Sequence, residues 1–153
     1  VQHISKDYPL RESELQISLN SLNHPVSYLM WWGNLASSDN NATAYYTRAK
    51  ITMNGQDRIK ERPMDYFDRY QSYVHFNGCP MVKNARSASL YSFALNGSEH
   101  KPSGSCNFSR VDDSKLIIKR DSTVSDANWG PGTWWVWAQA NNLAFQTNRA
   151  PGR

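Results

Sequence analysis

A chain of 153 residues and 17.5 kDa fits one domain, which at this length buries roughly 70% of the surface its unfolded chain exposes. Seventeen Lys+Arg against thirteen Asp+Glu give a net charge of +4, and the cations are scattered singly rather than grouped to track phosphates, so direct nucleic-acid binding is not indicated. No run approaches the roughly 18 apolar residues of a membrane-spanning helix and no charged-then-apolar leader opens the chain, so the expectation is a soluble domain with no transmembrane segment.

Six Trp, eight Tyr and five Phe favour pleated, half-buried surfaces and make an all-β domain the leading class. The polar opening from Val1 does not resemble a translation start, which suggests a fragment or a processed chain. Residues 1–12 are expected to be a flexible end. Leu15, Ile17 and Leu19 then alternate with Gln16, Ser18 and Asn20, the period-2 pattern of a half-buried strand. After the turn-like Asn23-His24-Pro25, the apolar run from Val26 to Trp32 ends at Gly33 and predicts a core strand. The segment Leu35 to Ala44 has loop composition. Tyr45 to Met53 reads as a strand meeting Asn54-Gly55, a dipeptide that tolerates φ > 0 and marks a type I′ hairpin turn, with the return beginning at Gln56.

Between Pro63 and Phe76, aromatic and apolar residues recur at spacings of three and four with Asp65 near the start, which predicts one short helix. Strand-like runs follow at Ala88–Leu95, Lys115–Lys119 and Thr133–Ala138, with a last apolar piece at Leu143–Gln146 before a flexible end at 147–153. From Leu90 to Arg110 the pattern is a strand, a polar corner and a second strand start. Pro102 fixes φ and Gly104 can take φ > 0, so the two close a tight corner. The whole predicts an eight-stranded antiparallel jelly-roll sandwich with one short helix in a long inter-strand connection, a single domain over 1–153.

Four stretches resemble, in order, the major capsid proteins of nucleocytoplasmic large DNA viruses. Asn23-His24-Pro25-Val26 with Leu29 and Trp31 is similar to the family's N-H-P-V-x-x-L-x-W segment, and Asn54-Gly55-Gln56-Asp57-Arg58 to its N-G-x-D-R hairpin. Tyr66-Phe67 with Gln71, Tyr73 and His75 resembles its helix motif. Tyr91–Leu95 through Pro102 and Gly104 to Asn107-Phe108-Ser109-Arg110 is the nearest match. The resemblance covers roughly residues 15 to 120, with a weaker echo at Val136–Phe145, where family members carry a longer closing segment.

The resemblance implies a structural virion protein: the second, C-terminal jelly roll of a double-jelly-roll subunit whose N-terminal jelly roll lies elsewhere in the same polypeptide. It also implies a homotrimer forming a pseudo-hexagonal capsomer, contacts with neighbouring capsomers and minor capsid proteins, assembly in the host cytoplasm, residence in the virion capsid and no cofactor. Asn23, His24, Pro25, Asn54, Gly55, Asp57, Arg58, Pro102, Gly104, Asn107, Phe108 and Arg110 are then structural or assembly residues.

Catalytic readings find little in the residues. His3, His24, His75 and His100 show no metal-ligand spacing, and His24 and His100 suit turns where their rings bond backbone. Adjacent Asp112 and Asp113 point to opposite faces of a strand; Asp65 and Asp68 would share a helix face, as a solvated helix start. No nucleophile elbow is present, so no catalytic residue is assigned. Asp57, Arg58 and Arg62 are candidates for a structural ion pair. Cys79 and Cys106 suit two free thiols in a reducing compartment, with a single bridge as the alternative. Sequons at Asn41, Asn96 and Asn107 mark candidate glycosylation sites.

The tryptophans supply the rival reading, a carbohydrate-binding jelly-roll module, with a cupin-like or glycosidase enzyme behind it. Core packing is favoured, because neighbours on a strand must alternate. Trp31/Trp32 and Trp134/Trp135 each split between two faces, and one member of each pair points out of the core.

Overall fold

Alternation of apolar and polar side chains, the signal read at Leu15–Leu19, builds two facing sheets. The computed structural model describes residues 1–8, 13–35, 46–77, 88–99, 101–120 and 132–140. The strands are β1 (Gln2–Tyr8), β2 (Glu14–Ser18), β3 (Pro25–Leu35), β4 (Tyr46–Met53), β5 (Gln56–Pro63), β6 (Ser89–Ser92), β7 (Cys106–Asn107), β8 (Ser114–Arg120) and β9 (Gly132–Ala140). One sheet runs β1-β9-β3-β6 and the other β2-β8-β4-β5, with all these neighbours antiparallel. Strands distant in sequence therefore lie side by side, as in a jelly roll.

Nine labels occupy eight strand positions. Tyr28 to Trp31 of β3 pair with β6, and Pro25 and Val26 of the same edge pair with β7. The two short strands are one edge strand interrupted by the excursion 93–105. Cys106 thus starts only a two-residue strand where a fuller one was expected. Asn107 stops it by accepting the Ser109 N–H on its side chain, which turns Phe108–Arg110 into a 3₁₀ turn.

The core sits between the sheets. Leu15 and Ile17 of β2, Leu116 and Ile118 of β8 and Ala49 and Ile51 of β4 face Leu29 and Trp31 of β3 and Trp134, Val136 and Ala138 of β9. Each large side chain so buried contributes about 1.5–3 kcal/mol relative to exposure. Trp31 and Trp134 are 0% and 2% exposed, while Trp32 and Trp135 point outward, the split that alternation requires. Close packing also explains Gly33: a Cβ there would come within 2.6 Å of the Trp134 indole.

The helical stretch is a π-helical turn, Tyr66–Tyr70, continuing as a short α-helix, Gln71–His75. Phe67 anchors it in the core against Trp31, ring centroids 5.2 Å apart. Its polar residues finish the β6 edge: Gln71 Oε1 accepts the Ser92 N–H at 3.1 Å, and Asp68 accepts the Ser89 hydroxyl. The Ser92 edge donor, which could recruit another strand, is in this way occupied. Asp65 instead meets Arg69 at 3.8 Å in solvent, so Asp65 and Asp68 serve different partners.

The first residues differ from expectation. Gln2–Tyr8 form the outer strand β1, paired along its length with β9, because Ile4 supplies an apolar contact to the core and β9 offers a free ladder. Asn41, Cys79, His100, most of the Leu35–Ala44 segment, the strand expected at Leu143–Gln146 and the end at 147–153 lie outside the described residues.

Candidate functional site

Three connections meet at one end of the sandwich, and asparagines tie them together. His24 sits at φ 68°, which Pro25 and Asn23 frame; its N–H donates to Ser109 Oγ at 2.8 Å and its carbonyl accepts the Phe108 N–H at 3.2 Å. The backbone of His24 therefore makes these bonds, not the ring. The hairpin turn has Asn54 at φ 51° and Gly55 at φ 76°, the pair of positive values a type I′ turn needs. Asn54 Oδ1 accepts the N–H groups of Asp112 and Asp113 at 3.0 and 3.3 Å. Asn20 Oδ1 likewise accepts the Ser114 N–H at 2.8 Å. Gln2 completes the cluster, its amide donating to the Asn23 carbonyl and accepting the Asn23 N–H, both at 2.7 Å. Side-chain amides act here as substitutes for ladder bonds.

Motifs 85 residues apart are thus one structural unit. Asn23, His24, Pro25, Asn54, Gly55, Asn107 and Phe108 come together; Arg110 is exposed at the end of the 3₁₀ turn, and Phe108 is buried. Pro102 and Gly104 lie apart from them, in the excursion. Gly104 has φ 154°, and a Cβ there would stand 2.7 Å from the Phe93 carbonyl oxygen, so only glycine fits. Gln2 and Asn20 escape sequence reading, since an isolated amide in a polar stretch carries no spacing signal, and the helix motif that includes Gln71 does not disclose its bond to Ser92.

The excursion folds back on the helix. Gly97 N–H donates to the His75 carbonyl at 2.8 Å, His75 Nδ1 lies 3.0 Å from the Leu95 carbonyl, and Gly97 packs directly on the Phe76 ring. A recess of about 440 Å³ opens between it and the first sheet, walled by Tyr28, Phe76, Pro102 and Gln139 among others. Asn96 is engaged locally, donating to Glu99 Oε1 at 3.0 Å and accepting the Ser98 N–H.

The ion pairs differ from those anticipated. Asp57 meets Lys50 at 3.6 Å, while Arg58 lies over Phe93 at 6.0 Å and Arg62 over Tyr66 at 5.8 Å. The hairpin aims the two arginines back at aromatic rings, where their planar cations stack. Glu61 binds Arg48 at 2.9 Å and Lys119, which also approaches Glu14 at 3.9 Å. Charges therefore run across all four strands of the second sheet. The Lys119 hydrogen bond holds the Glu61 carboxyl below its usual range and raises Lys119 in turn. Burial pushes the Tyr91 phenol and the Cys106 thiol up, with Arg58 opposing both. Cys106 is a free thiol, 3.9 Å from Met53 Sδ. Among the described residues no three His, Cys, Asp or Glu gather as a metal site would require, and no helix is long and apolar enough to cross a membrane.

The outer face of the first sheet is aromatic. Trp32 stacks on Trp135 at 5.9 Å and tilts against Trp137 at 5.6 Å, with His3 6.4 Å beyond Trp137. Two antiparallel sheets in this order, tied together at one end by side-chain amides, define a jelly roll.

Residues 35–130 match the family model for the large eukaryotic DNA virus major capsid protein, and the chain belongs to that family. It is 46% identical over 81 residues to the major capsid protein of Chrysochromulina ericina virus, covering 52% of this chain and 13% of that one. Against the major capsid protein of Pyramimonas orientalis virus the identity is 35% over 133 residues, covering 71% and 33%. Among solved structures, PBCV-1 VP54 fitted into a reconstruction of the virophage Sputnik superposes with TM-score 0.66 at 24% identity, covering 90% of this chain and 46% of that one. The Faustovirus major capsid protein gives TM-score 0.69 at 11% identity, covering 89% and 31%. This chain therefore spans about a third or less of those two curated relatives and less than half of those solved chains.

Proposed function

We propose that this chain is the C-terminal jelly roll of a double-jelly-roll major capsid subunit, and that it acts by shape and surface complementarity rather than by chemistry. The observation that carries the reading is the strand order β1-β9-β3-β6 over β2-β8-β4-β5 in a chain of the major capsid protein family that spans 46–48% of the PBCV-1 capsid chains it matches. A sandwich of this kind is a rigid block whose faces and ends are free to meet neighbours.

In this reading an N-terminal jelly roll of the same polypeptide lies beside it. Three subunits form a pseudo-hexagonal capsomer that contacts neighbouring capsomers and minor capsid proteins in the virion, after assembly in the host cytoplasm. No step needs a cofactor. Light scattering on the purified full-length capsid polypeptide tests this, with a particle of three subunits expected. A stable monomer, or a polypeptide encoding no second jelly roll, would overturn it.

A further inference from the structure

The two outer faces of the sandwich are built for different surroundings. On the β2-β8-β4-β5 face, Glu14, Lys119, Arg48, Glu61, Lys50 and Asp57 form the charged band already described, suited to water. The residues of β3, β6, β7 and β9 include no Asp, Glu, Lys or Arg. The outward positions of this sheet hold Met30, Trp32, Trp135 and Trp137 beside the polar His3, Ser5, Thr133 and Gln139, and Trp137 remains 39% exposed. At the far end of the same face Tyr28 meets Phe76 edge-on at 5.0 Å, beside the recess of about 440 Å³. Contiguous apolar surface of this kind on a soluble domain marks an interface.

The indoles are arranged against one another rather than as an open platform. Trp32 stacks on Trp135 and tilts against Trp137, so its ring is engaged by other indoles. A broad, largely aromatic surface beside a recess that Glu99 and Lys101 help to line fits a second folded domain better than a small ligand.

We infer that the outer face of the β1-β9-β3-β6 sheet docks the other jelly roll of the same polypeptide, with Trp32, Trp135 and Trp137 at its centre. This rests on the capsid-subunit reading. The PBCV-1 capsid chains that share this fold are more than twice as long as the part matched here, 46% and 48% of each being covered, so each carries further polypeptide of the size needed to cover such a face. The charged face is left to solvent or to polar contacts between subunits.

Hydroxyl-radical footprinting of the full-length capsid polypeptide, first as dissociated subunits and then as assembled capsomers, tests the assignment. Trp31 and Trp134, buried in the core, are internal standards. Oxidation of Trp32, Trp135 and Trp137 as slow as that of the standards, already in dissociated subunits, is the expected result. Protection that appears only on assembly would overturn the assignment, giving the face to a neighbouring subunit. Reactive indoles in the capsomer would overturn docking on this face altogether while leaving the capsid reading intact. A full-length polypeptide without a second jelly roll would instead remove the reading on which the inference rests.

Discussion

Replacing Asn54 tests how the end of the sandwich is held. Its side chain accepts two backbone N–H groups, from Asp112 and Asp113, while its own backbone stands at φ 51° and donates to the Asp113 carbonyl at 2.6 Å. A neutral hydrogen bond contributes about 0.5–1.5 kcal/mol net, and because these donors are exposed and rehydrate when the acceptor is lost, the two together are worth about 1–2 kcal/mol. Alanine also has to hold a left-handed backbone without a polar side chain, at about 1 kcal/mol more. Asn54→Ala should therefore destabilise by about 2–3 kcal/mol. Asn54→Gly relieves the backbone strain but frees the unfolded chain, at about 0.5–1 kcal/mol, so it should lose slightly less than alanine. Urea denaturation reads both as a lowered midpoint at unchanged slope. An Asn54→Ala midpoint corresponding to less than about 0.5 kcal/mol would refute the claim that this amide ties the β4–β5 hairpin to the segment before β8.

Gly33→Ala places a methyl within 2.6 Å of Trp134, and overpacking of this kind should cost about 1–3 kcal/mol, read by the same titration with loss of near-ultraviolet tryptophan circular dichroism; an unchanged spectrum and midpoint would show that the indole can yield. Gln71→Ala leaves the buried Ser92 N–H without its acceptor, so hydrogen exchange at that amide should quicken while the β8 and β9 amides stay protected; equal protection in variant and parent would contradict the edge-capping role. Glu61 is held below its usual range, chiefly by Lys119, so its contribution to stability is present at neutral pH and is lost as pH falls through its lowered value in the folded state. Glu61→Gln should flatten the decline of stability below the ordinary glutamate range near 4.5, and an acid slope equal to the parent's would show that the pair is inert.

Period-2 alternation and turn chemistry made much of this architecture legible. Leu15-Ile17, the run from Val26 to Trp32 and Asn54-Gly55 each carry a local signal whose cause is the pleat or a positive φ, and β2, β3 and the β4–β5 hairpin stand where those signals place them. The splitting of Trp31 from Trp32 and Trp134 from Trp135 follows from the same geometry. Long-range partnerships have no such signal. Nothing near Gln2 announces Asn23, and Asp57 next to Arg58 suggests a local pair where β-strand geometry sends Asp57 to Lys50 and Arg58 to Phe93. β1 carries no strand signal because Gln2–Tyr8 has little apolar content, its order coming from the ladder that β9 supplies. The edge strand broken at 93–105 reads locally as two strands and a corner, since only the shared partner β3 reveals them as one.

The most direct measurement is electron cryo-microscopy of the native particle assembled from the full-length capsid polypeptide that contains this chain. Pseudo-hexagonal capsomers whose density holds the β1-β9-β3-β6 and β2-β8-β4-β5 sheets as one of two sandwiches per subunit are the expected result. Dispersed monomers, or capsomers into which this sandwich does not fit, would contradict it.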